Sequence, residues 1–167
     1  MYMTNKFFKL FKKSDYLIIA FLLLIIPFLI RLNEKVNFIY IILTSNYITL
    51  IVNTFYFVIM YKKIQIINCL KYYIISKIGL RTTKKMIHLF ASICTLIFIS
   101  TLYIFLLGVY GCSNLNLNLI ILLIINTIMY LIETHFIFLQ FNRKSNILFI
   151  IIPIIINIIY HYTFFVS

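Results

Sequence analysis

The chain has 167 residues, 64% of them hydrophobic and only 11% charged, with a mean hydropathy of +1.10. Soluble domains are about half apolar and a quarter charged, so this composition excludes a soluble globular fold. The formal net charge of +12, in so apolar a chain, points to membrane topology and not to nucleic-acid binding.

Residues 1–15 form a basic amphipathic segment. Phe7, Phe8 and Phe11 share one helical face and Lys6, Lys9 and Lys13 another, a pattern suited to the membrane interface. Ser14 or Asp15 is placed to cap the helix that follows. Residues 16–61 are expected to make a first transmembrane hairpin, with spans at 16–32 and 38–61. Its start imitates a signal peptide, but Arg31-Leu-Asn-Glu34 offers no small-x-small cleavage site, so the first span is expected to be retained.

Residues 62–85 read as a basic loop. Within it Ile64, Ile67, Leu70, Ile74 and Ile78 recur at helical spacing, predicting one amphipathic helix from Lys62 to Gly79 with Lys62, Lys63 and Lys77 toward the polar side. Gly79 is placed to end that helix and Thr82 or Thr83 to begin the next. Residues 86–167 hold three further spans. Met86 to Ile132 is a run of 47 residues with no Asp, Glu, Lys or Arg, far beyond the about 20 that one crossing takes. The turn-forming cluster from Gly108 to Asn116 divides it into spans at 86–107 and 117–141. A fifth span follows at 147–165.

Thirteen Lys and Arg lie in the N-terminal segment, the 62–85 loop and the 142–146 loop, whereas only Arg31 and Lys35 lie on the other side. The expected fold is therefore all-α, a polytopic bundle of about five spans, N-inside and C-outside, with interfacial amphipathic helices. Richness in Ile, Phe, Asn and Lys suggests an AT-rich genome and a bacterial plasma membrane. Cys69, Cys94 and Cys112 fall at different depths, giving neither a disulfide framework nor a zinc site. No phosphate loop, nucleophile elbow or paired carboxylate is present, so neither an enzyme nor a bound cofactor is expected.

The order of interfacial helix, hairpin, basic loop and further spans, together with Tyr73-Ile-Ile-Ser-Lys-Ile-Gly-Leu-Arg-Thr-Thr-Lys-Lys-Met86, resembles the membrane subunits of ABC-2-type transporters and bacteriocin-immunity complexes. Lys77, Gly79, Arg81, Lys84 and Lys85 carry the likeness; the chain has five spans where the family has six. The resemblance implies a separate ABC ATPase subunit, docked on Ile64, Ile67, Leu70, Ile74, Lys77, Arg81, Lys84 and Lys85, and a sister permease or second copy. A regulatory or scaffold protein beside a sensor kinase or secretion complex would carry the same features. A small proton-coupled carrier is a third reading.

Polar residues inside the spans form stripes. Asn46, Thr49, Asn53 and Tyr56 line the second span, and His88, Ser92 and Thr95 the third. Asn126, Tyr130, Glu133 and Gln140 fall within roughly 80° of one another on the fourth. Asn157 and His161 share a face of the fifth. Such stripes serve as interhelical glue, at on the order of 1 kcal/mol per bond, or line a ligand path. Glu133, an ionisable residue inside a span, is the functional candidate among them. His88 is the expected partner across helices, because His135 lies about 200° away on the same helix.

Overall fold

The structure, a computed structural model, describes residues 15, 17, 20, 21, 47–110, 117–142 and 146–163. From residue 47 on, the described residues form five α-helices: α1 Tyr47–Cys69, α2 Lys71–Ile78, α3 Leu80–Tyr110, α4 Leu117–Phe138 and α5 Leu148–Thr163. A 3₁₀ turn, Leu139–Asn142, extends α4, and no strand occurs among the described residues. Many of these residues are β-branched or aromatic, which favours strands in water. In hydrocarbon a single segment can satisfy its backbone only by coiling on itself, and that requirement overrides propensity.

Among the described residues three helical stretches are long and apolar enough to cross a membrane, Leu50–Cys69, Leu80–Phe105 and Ile120–Phe141. They mark the chain as an α-helical membrane protein. The expected spans at 86–107 and 117–141 fall within α3 and within α4 with its 3₁₀ extension. The expected span at 147–165 is α5, whose apolar stretch Leu148–His161 is shorter than a full crossing. Of the expected span at 16–32, only Leu17, Ala20 and Phe21 are described, and all three are helical; the start of the second, 38–46, lies outside the described residues.

The predicted single helix from Lys62 to Gly79 is two helices. α1 runs on to Cys69, and Leu70, at φ −92° and ψ 4°, leaves helical geometry. Its N–H is shared between the carbonyls of Ile66 (3.3 Å) and Ile67 (3.1 Å) before α2 begins. The break separates two environments: Ile64 and Ile67 are completely buried in the core, whereas α2 buries no residue. Ile64 and Ile67 therefore belong to the protein's own packing and not to an exposed docking face. Lys63, expected on the polar side, is buried too, and its ammonium is ion-paired with Asp15.

Gly79 does end the helix before it. At φ 79° and ψ 156° it occupies backbone space open essentially to glycine alone, and its N–H donates to the Ile75 carbonyl at 2.8 Å. α3 then begins at Leu80, ahead of the expected Thr82 or Thr83. Thr83 donates both its N–H (3.1 Å) and its hydroxyl (2.7 Å) to the Gly79 carbonyl.

α4 packs against α1, α3 and α5, and α5 closes on α1. Phe57 and Met60 of α1 meet Phe90, Ala91 and Phe98 of α3 and Tyr130, Ile137 and Phe138 of α4 in one core. The Tyr56 ring stacks on Phe98 with centroids 4.1 Å apart and planes 8° from parallel. Leu89, Ile97 and Ile104 of α3, Ile124 and Ile132 of α4 and Ile155 of α5 face outward. In water such a surface would drive association; in a bilayer it is the lipid-facing side.

No atom stands within 4 Å of a Cβ placed on Gly79, so substitution there meets only backbone strain. Gly79→Ala is expected to destabilise the protein by about 1–3 kcal/mol with helix content unchanged. Reversible unfolding in mixed micelles, followed by circular dichroism, measures both.

Candidate functional site

Four buried polar side chains converge where α1, α4 and α5 meet. Asn53 on α1 donates from Nδ2 to Asn157 Oδ1 on α5 at 3.1 Å. Asn157 in turn donates from Nδ2 to Glu133 Oε2 on α4 at 3.2 Å. The Tyr130 hydroxyl, one turn before Glu133, lies beside both amides. None of these four residues is more than 2% exposed. The result is a directed chain, amide to amide to carboxylate, linking three helices.

Glu133 therefore pairs with Asn157 and not with His88. The His88 ring stacks instead on His135, with centroids 5.3 Å apart and planes 6° from parallel. His135 Nδ1 donates to the Leu131 carbonyl at 2.7 Å, and its Nε2 lies 3.3 Å from Ser92 Oγ. The two rings join α3 to α4 on the face of α4 away from Glu133, as the two-residue offset along the helix requires.

The remaining polar residues tie other helix pairs. Asn126 donates to the Tyr103 hydroxyl at 2.9 Å, and the hydroxyls of Tyr56 and Thr95 lie 2.9 Å apart. Gln140 is fully buried, and its backbone carbonyl accepts from Asn68 Nδ2 at 3.4 Å. His161 is buried one turn beyond Asn157. Asn46 lies outside the described residues. Polar residues of α1, α3, α4 and α5 thus turn toward one another, and Asn53, Tyr56, Ser92, Asn126 and Glu133 each find a partner on another helix.

Tyr103 is a member that the polar stripes omit. It stands eleven residues after Ser92 on α3, three helical turns on, and extends that face. The Lys63–Asp15 pair has no comparable periodic signal, since it joins the N-terminal segment to α1. Among the described residues no three His, Cys, Asp or Glu side chains gather as a metal site would need.

A second surface lies at the elbow. Tyr72 is 85% and Tyr73 66% exposed, and Leu70, Lys77, Leu80, Arg81 and Lys85 are exposed as well. Ile74 and Lys84 are half-buried, Ile74 against the core. Lys71 caps the Phe141 ring at 5.2 Å, fastening α2 to the turn after α4, and Lys77 lies 5.8 Å from the Tyr73 ring.

The sequence matches no protein-family model and no curated protein, and the fold matches no solved structure. Function is therefore read from the buried polar layer and the elbow.

Asn157 holds two bonds of the layer, and Asn53 donates one. Asn157→Leu is expected to cost about 2 kcal/mol or more, and Asn53→Leu about 1 kcal/mol, at about 1 kcal/mol per interhelical bond in a membrane. A double-mutant cycle on unfolding in mixed micelles should show the two substitutions to be non-additive.

Proposed function

We propose that the protein is a non-catalytic membrane subunit of an ABC-2-like exporter or bacteriocin-immunity complex, operated by a separate ATP-hydrolysing partner that docks on its elbow. The observation that carries this reading is α2, an eight-residue helix with no buried residue, held between α1 and α3 by single-residue joints at Leu70 and Gly79. A partner pressing on α2 pushes directly on the ends of two spans that run into the core. Exposed Tyr72, Tyr73 and Lys77 of α2, with Arg81 and Lys85 at the start of α3, offer aromatic and cationic contacts, the residue types that anchor interfaces. Leu70 belongs to this surface as well; Ile64 and Ile67 do not.

The excess of Lys and Arg in residues 1–15, 62–85 and 142–146 supports an N-inside arrangement in a bacterial plasma membrane, with the elbow on the cytoplasmic side. The outward-facing isoleucines of α4 and α5 suit lipid, a sister permease or a second copy of the chain.

Charge reversal tests the docking surface. In membranes of the native host, tagged protein is expected to retain an ABC ATPase through purification. The combined variant Lys77→Glu, Arg81→Glu, Lys85→Glu should recover at least about tenfold less of it, equivalent to about 1.4 kcal/mol, while its own abundance and unfolding stay unchanged. Recovery of a sensor kinase or secretion component in place of the ATPase would replace the transporter reading with that of a regulatory scaffold.

A further inference from the structure

We infer that Glu133, with Asn53 and Tyr130, forms an intramembrane site for a small monovalent cation, a sodium ion or a proton. The inference goes beyond the docking reading and survives its failure, because it stands on a different part of the molecule.

Glu133 is 1% exposed, and while Oε2 accepts from Asn157, Oε1 has no hydrogen-bond partner. Asn53 spends its amide nitrogen on Asn157, and its own Oδ1 is likewise buried without a partner. The donor chain runs from Asn53 through Asn157 toward Glu133, so acceptor oxygens accumulate in the layer. The Tyr130 hydroxyl adds another oxygen beside both amides. Buried polar atoms without partners are rare in folded proteins, and each calls for something to satisfy it. One carboxylate oxygen and one amide oxygen without partners call for a positive charge or a proton.

Charge matching sets the class of ligand. Glu133 brings one negative charge, and the groups around it bring no fixed compensation: Tyr130 and Thr134 from its own helix, Asn53 from α1, Tyr103 from α3, and Asn157, Tyr160 and His161 from α5. His161 lies one turn beyond Asn157 with its ring against Tyr160, at 5.2 Å between centroids. Lys63, the buried ammonium of α1, is already paired with Asp15. A monovalent cation neutralises this site, whereas a divalent ion would leave an excess charge in hydrocarbon. Simple interhelical glue has no need of a carboxylate here, since a glutamine would accept from Asn157 equally well and carry no charge.

Two readouts on the purified protein separate the arms. The first is the unfolding temperature as sodium chloride replaces choline chloride at constant ionic strength. A sodium site gives a saturable upward shift of a few degrees, lost in Glu133→Gln. The second is the infrared carbonyl band of a protonated carboxyl, followed against pH with isotope-labelled glutamate. The only other glutamate in the sequence is Glu34, so a Glu34→Gln background leaves Glu133 as the sole labelled carboxyl and keeps the test valid even if Glu133→Gln fails to fold. A proton site gives a band that is present at low pH and disappears as pH rises. A flat response to sodium, together with a carboxyl that is either ionised or protonated at every pH, would overturn the inference. The first of these outcomes would mean that the protein supplies the countercharge, and the second that Glu133 is a neutral hydrogen-bonding residue. An internal water in the same place would also leave both readouts flat.

Discussion

A polar side chain in hydrocarbon has no water to fall back on, and the arrangement of this bundle follows from that constraint. α4 is the hub because its stripe carries Asn126, Tyr130, Glu133 and Gln140, all buried. Three of these residues reach three different helices. Asn126 engages Tyr103 on α3, Glu133 engages Asn157 on α5, and the Gln140 carbonyl accepts from Asn68 on α1. An isoleucine finds lipid and protein interior almost equally apolar, so the apolar residues leave the rotation of α4 loosely determined. The hydrogen bonds determine it.

The aromatic core does a complementary task. Association of helices in a membrane gains little from the hydrophobic effect and depends on close packing. Tyr56, Phe57, Phe98 and Tyr130 supply large rigid faces that interlock through stacked and tilted contacts. Tyr56 and Tyr130 also bring hydroxyls to the polar groups beside them, Thr95 for the first and the two asparagines for the second. Packing and polar satisfaction are therefore met by the same residues, and neither can be altered without the other.

The elbow answers to a different constraint. α1, α2 and α3 are joined with a single residue between each pair, which leaves little slack for α2 to move independently of the spans. Leu70 and Gly79 solve the two joints differently. Leu70 stays near helical space and keeps a shared hydrogen bond, whereas Gly79 takes a conformation closed to other residues and so makes a sharper break. Lys63 and Asp15 lock α1 to the N-terminal segment close to this end of the bundle. The outcome is a stiff, basic, aromatic corner whose movement is tied to the core.

The helical membrane character, the positions of α3 and α4, the end of a helix at Gly79 and the inward face of the α4 stripe were legible in the sequence, because hydropathy, glycine and helical periodicity are local properties. Asn53, Asn157 and Glu133 could each be singled out by their cost in hydrocarbon. Their junction could not, since Asn53 and Asn157 lie 104 positions apart and only the packing of α5 on α1 brings them together. The same holds for the row of Ile64, Ile67 and Ile74: its periodicity showed that one face is apolar but not what covers it. The tertiary structure assigns Ile64 and Ile67 to the core and breaks the helix at Leu70. A sequence specifies which faces must be hidden, and only the assembled bundle decides which other face hides each one.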